Sequence, residues 1–119
     1  MGRVRFVQPV SVRLDLSDGD WIEVKKRITF GEQQYIATSG VVRRQTMASG
    51  IDIDWAAFAV ARIVTWLTDW NFLDGNGKSV PITQDAVNTL EPETVDEITK
   101  ALDAHVEELE ASKRGGVGV

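Results

Sequence analysis

Val10-Ser11-Val12-Arg13-Leu14-Asp15-Leu16, then Ser17-Asp18-Gly19-Asp20, then Trp21-Ile22-Glu23-Val24-Lys25-Lys26-Arg27-Ile28 is the stretch on which the fold turns. In its first part apolar and polar residues alternate with period two, the mark of a strand with one buried face. The Ser-Asp-Gly-Asp segment supplies turn chemistry, because Asp and Gly tolerate left-handed backbone angles. Past it, Ile22, Val24 and Ile28 share one face, interrupted by Lys26, while Trp21, Glu23, Lys25 and Arg27 share the other. Residues 10–28 therefore read as a β-hairpin. Upstream, Val4–Val7 offers a further short strand before Pro9.

Downstream the period changes. Thr29-Phe30-Gly31-Glu32 matches a capping box, so a helix is expected over 29–39, burying Tyr35 and Ile36 and stopping at Gly40. Residues 40–51, with two glycines and Arg43-Arg44, read as a loop ordered by a partner. Trp55, Phe58, Ala59, Ile63, Trp66, Leu67 and Trp70 recur at three- and four-residue spacing, which predicts a helix over 54–70 capped by Asp52 or Asp54. It is apolar nearly all round, so it belongs at the centre of the domain or against a partner. Asp74-Gly75-Asn76-Gly77 is a turn, Thr83 caps a short helix over 83–90, and Pro92 opens an amphipathic helix over 92–113. Gly115 to Val119 reads as a flexible tail. The expected fold is α+β and mainly helical: one domain over residues 1–114, with an N-terminal β-hairpin packed on about four helices.

The totals narrow the function. A chain of 119 residues can bury one core without metal or disulfide support. It has no cysteine, which removes a disulfide framework, a thiolate zinc site and a cysteine nucleophile. No apolar run approaches the roughly 20 residues that span a bilayer, so no membrane partner is expected. Residues 1–50 hold eight Lys/Arg and five Asp/Glu, net +3; residues 51–119 hold five and thirteen, net −8, together the chain's −5. A net acidic chain with no concentrated basic patch is a poor nucleic-acid binder. The Lys25-Lys26-Arg27 run reads instead as a charged strand edge that resists aggregation.

Candidate chemistry is thin. His105, the one histidine, lies in the last helix with no nucleophile or recognisable triad beside it. Asp74 to Ser79 begins like a calcium loop, but Lys78 takes a ligand position, Ser79 replaces the required Gly, and Asp85 stands where Glu is needed. Asp52 and Asp54 read as helix caps rather than an acid–base pair. The glycines form no phosphate-binding loop or nucleophile elbow. These readings favour a protein that is not an enzyme and takes no cofactor. The cluster Trp55, Trp66 and Trp70 is more telling, since aromatics serve both cores and interface anchors.

Three stretches carry a resemblance. Asp18-Gly19-Asp20-Trp21-Ile22-Glu23-Val24 with Ile28-Thr29-Phe30-Gly31-Glu32, then Ala61-Arg62-Ile63 with Trp66 to Phe72, then Asp74 to Thr83 with Leu90-Glu91-Pro92-Glu93-Thr94, resemble small proteins of tail-gene clusters in long-tailed, non-contractile phages. The match spans about residues 15–110 and is closest to the tail assembly chaperones. That resemblance implies a protein of the host bacterial cytoplasm that binds the tape-measure protein, keeps it soluble and helps recruit tail-tube subunits. It supplies no residue-level motif. Tyr35, Ile36, Arg43, Arg44, Trp66 and Trp70 are the partner-binding residues expected from exposed apolar and basic positions. The Trp helix and the charge asymmetry point also to a homo-oligomer. A structural virion protein of the tail or head–tail region is the competing reading.

Overall fold

The computed structural model describes residues 2–43 and 51–117, with the backbone course alone for 42–43, 51–52 and 113–117. The hairpin forms from β1 (Ser11–Asp15) and β2 (Trp21–Lys25), antiparallel, with Ser11 opposite Lys25 and Asp15 opposite Trp21. A 3-10 turn over Ser17–Gly19 joins them, with Asp18 at φ 59° and Gly19 at φ 77°. These are the left-handed angles that Asp and Gly accept at least cost. Ile22 and Val24 are fully buried, so β2 turns its apolar face inward as its alternation requires.

The helix expected over 54–70 is two elements. α2 (Trp55–Trp66) ends at Trp66, and the chain passes directly into β5 (Leu67–Trp70), which pairs antiparallel with β2. The sheet is thus three-stranded, in the order β1-β2-β5. The spacing misleads here for a definable reason. A register shift in the ladder between Glu23 and Val24 lets Leu67 and Trp70 both face inward while Thr68 and Asp69 stay exposed. Trp66 and Trp70 therefore keep a helix-like spacing of four across a helix-to-strand junction. A consequence is that β2 is the central strand. The basic run at its end does not guard an edge, and Lys25 instead pairs with Glu32.

Two other expectations change. The loop over 40–51 contains a ladder between β3 (Val41–Arg43) and β4 (Ile51–Ile53), pairing Val41 with Ile53 and Arg43 with Ile51. β-Branched residues at both ends of the segment favour extended backbone and outweigh its two glycines. The expected ordering of 44–50 by a partner lies outside the described residues. The last helix, α4 (Pro92–Val117), continues through residues 115–117, where a tail was expected. Once a helix of several turns exists, each added residue gains a hydrogen bond without a new nucleus. Residues 118–119 of that tail lie outside the description. Val4–Val7 adds no strand.

α1 (Phe30–Ser39) starts at the full capping box: Glu32 N donates to Thr29 Oγ1 at 3.1 Å, and Thr29 N to Glu32 Oε1 at 2.9 Å. α3 (Gln84–Asn88) starts at Thr83, whose hydroxyl accepts from Ala86 N at 3.0 Å. The core gathers Ile22 and Val24 from the sheet, Ile36 from α1, Ile63 and Trp66 from α2, Val87 from α3, and Ile98 and Leu102 from α4. Each such side chain contributes about 1.5–3 kcal/mol on leaving water. The domain is α+β and mainly helical.

Candidate protein interface

Phe30 and Trp55 are each the first residue of a helix, immediately after the caps Thr29 and Asp54. Helical side chains lean toward the N-terminus, so a first-turn side chain projects past the end of its own helix. Neither finds a neighbouring layer there: Phe30 is 75% and Trp55 68% exposed. Trp55 rests only its edge on Phe58, with ring centroids 6.0 Å apart at 78°. Val41 and Ile53, opposite each other in the β3–β4 ladder, are exposed beside this end of α2.

The junction that presents them is tight. Asp54 N donates to Gly40 O at 2.6 Å, and Asp54 Oδ1 accepts from Ala57 N at 3.0 Å. A Cβ on Gly40 would lie 2.8 Å from Asp54 O and 3.0 Å from Phe58 Cβ. Only glycine lets the end of α1 approach α2 so closely. Beside this contact a groove of about 430 Å³ runs between α1, α2 and α3, bordered by Tyr35, Ser39, Ala57, Val60 and Asn88. Tyr35 is 48% exposed on its rim.

The six residues expected from sequence to bind a partner do not come together. Tyr35 is at this surface. Ile36, Trp66 and Trp70 are buried core residues and present little surface to a partner. Trp66 meets His105 edge-on at 5.7 Å and 90°, while Trp70 stacks on Phe72 at 4.9 Å and donates from Nε1 to Val80 O at 2.6 Å. That bond satisfies the indole N–H, which is what makes burial of the ring inexpensive. Arg43 ends β3 opposite Ile51, and Arg44 lies outside the described residues. Sequence reasoning named Trp55 in its aromatic cluster but left it out of the expected partner-binding residues, and it passed over Phe30, at the end of α1 away from Gly40. The signal was present in the caps: an aromatic directly after Thr29 or Asp54 has no turn of its own helix beneath it.

No protein-family model, curated protein or solved structure matches this chain. The surface must therefore be read from its own chemistry.

Several polar side chains are engaged in contacts within the fold. His105 is buried, with Nε2 3.1 Å from Lys25 O and 3.2 Å from Lys26 O. Both partners are acceptors, so Nε2 carries the proton and ties α4 to the end of β2. Asp74 Oδ1 accepts from the backbone N–H groups of Asn76 and Lys78, at 2.8 and 3.0 Å, so its carboxylate organises a turn. Arg62 Nη1 lies 2.8 Å from Asp103 Oδ1, joining α2 to α4. At the start of α1, burial raises the pKa of Glu32, but hydrogen bonds from Lys25 and the Thr29 backbone outweigh it and hold the carboxyl below its ordinary value. Among the described residues no helix is long and apolar enough to cross a membrane.

Proposed function

We propose that this chain is an interaction protein without catalytic activity, a tail assembly chaperone that holds the tape-measure protein in the host bacterial cytoplasm and helps bring tail-tube subunits to it. The reading rests on the sequence resemblance and is carried on the structural side by one observation. Trp55, 68% exposed, stands with partly exposed Tyr35, Val41 and Ile53 around the close α1–α2 junction at Gly40 and Asp54. Large apolar side chains grouped on a small domain are the usual signature of a partner surface. A tape measure is a long helical chain with apolar stripes, and an amphipathic helix laid against this junction would bury aromatics on both sides. The acidic α4 would keep such a complex in solution.

The test is co-expression of the tagged chain with neighbouring tail genes, followed by capture and mass spectrometry. Recovery of a long tape-measure chain, soluble only in the presence of this protein and lost on Trp55→Ser, is the expected result. Finding the chain in mature particles, with no tape-measure chain captured, would overturn the reading in favour of a structural virion protein.

A further inference from the structure

Segment 2–10 forms no regular element, bends at Phe6 and is largely exposed. Phe6 is 86% and Val4 72% exposed. Up to the bend at Phe6, alternation along the backbone sets Arg3 and Arg5 on one side and Val4 on the other. Neither arginine has a carboxylate partner among the described residues. The segment's far end is tied to the sheet, where Lys26 N donates to Val10 O at 2.7 Å, whereas the bonds nearer Phe6 are local, Gln8 Nε2 to Phe6 O at 2.9 Å and Val10 N to Gln8 O at 2.8 Å. Such a two-sided strip, basic on one edge and apolar on the other, needs a cleft of the opposite kind.

One lies at the far end of the hairpin, between the 3-10 turn, the segment after β5 and the start of α4. Its apolar wall is Phe72, Leu73 and Leu90, with Leu73 largely exposed. Its rim carries Asp18, Asp20, Glu91, Glu93 and Glu97. Glu97 accepts from Ser17 Oγ at 3.1 Å, and Asp20 accepts from Asn71 Nδ2 at 3.4 Å. Among the described residues no Lys or Arg pairs with any of the five. Uncompensated carboxylates around an apolar wall match uncompensated guanidiniums around Val4 and Phe6.

We infer that the segment 2–10 of one copy docks in the acidic cleft of a second copy, Phe6 against Phe72 and Leu90, with Arg3 and Arg5 facing the carboxylate rim. Placement favours the match in trans. Val7 to Ser11 lie beside Lys25 and Thr29, whereas the cleft opens at the Ser17–Gly19 turn, with the whole length of β1 between them. Five strand residues span about 17 Å. Segment and cleft thus sit at opposite ends of one hairpin, so two copies can dock reciprocally in a closed dimer, or each can dock on the next in a ring or an open chain. Pairing two β1 edges antiparallel about Arg13 is the weaker arrangement, since it sets like charges opposite each other. The inference stands apart from the chaperone reading, because it concerns copies of this chain alone.

Sedimentation velocity on the full chain tests it, with circular dichroism to check that exposed substitutions leave the fold intact. Wild type is expected to associate at low salt and to weaken as salt screens the contact. R3E/R5E and E91K/E93K should each weaken association by about tenfold or more, since each sets like charges face to face. Mixing the two variants should restore association, because each then supplies what the other lacks. A monomeric wild type, an oligomer indifferent to both reversals, or a mixture no better than its components would overturn the inference. Protection of segment 2–10 from exchange in a protein that sediments as a monomer would place it on its own chain and overturn the inference as well.

Discussion

Trp55 and Trp66 are the same residue at the two ends of one helix, and they meet opposite fates. Trp66 is followed directly by β5, lies under α4, and packs edge-on against His105. Trp55 follows a cap, is 68% exposed and meets Phe58 edge-on. Composition and spacing are alike at both ends. What differs is whether the chain supplies another layer there. The end of α2 that continues into the sheet becomes core, and the end that begins at a tight turn becomes surface.

The sharpest way to break this contrast is to remove each ring. Trp66→Ala is expected to cost about 3–5 kcal/mol, the range for truncating a packed aromatic. Urea denaturation measures it. A cost below about 1 kcal/mol would mean that Trp66 is not packed as described and that the two ends of α2 are alike.

The next effect concerns the joint that exposes Trp55. Gly40→Ala would place a methyl 2.8 Å from Asp54 O, a backbone atom that cannot swing aside. Separating α1 from α2 is expected to cost about 1–3 kcal/mol, as other overpacked sites do. Thermal unfolding would show it. No change in Tm would show that the approach is loose and that Trp55 is presented by a flexible end.

Part of this contrast was legible in the residues and part was not. The hairpin was clear because β1 and β2 alternate strictly and Asp18-Gly19 demands a turn. α1 and α3 announced themselves through Thr29 and Thr83. β5 was hidden because its burial pattern, set by the register shift opposite Glu23 and Val24, mimics helical spacing. The β3–β4 ladder was hidden because a short strand's partner is non-local, and nothing in Val41–Arg43 names Ile51–Ile53. For the candidate site, hydrophobic type marked Tyr35, Ile36, Trp66 and Trp70 alike. Only Tyr35 proved exposed, since burial is decided by which elements stack above a residue.

A smaller effect tests the cap at the opposite end of α1 from Gly40. Thr29→Ala removes the hydroxyl that accepts from Glu32 N and is expected to cost about 1 kcal/mol. Glu32 adds a pH signature. Its folded pKa lies below its ordinary value of 4.5, so its contribution is present above the unfolded pKa and fades as pH falls through the lowered folded one. Glu32→Gln should therefore lower stability near neutrality and flatten its dependence on pH in the acid range. Parallel wild-type and variant stability curves down through that range would show that Lys25 and Thr29 do not hold the carboxylate.

The smallest expected change in stability is at Trp55 itself, and it decides the most about function. Trp55→Ser removes a ring that buries little and follows a cap left in place, so unfolding free energy should move by no more than about 0.5 kcal/mol. Asp54 still accepts from Ala57 N, and Gly40 still seats against Asp54. If the exposed end of α2 is where a tape-measure chain binds, capture of that chain should fall steeply while the fold is unchanged. If capture is unaffected, the ring is surface without a partner. A loss of several kcal/mol would be a third result, placing Trp55 in the core with Trp66 and erasing the difference between the two ends of the helix.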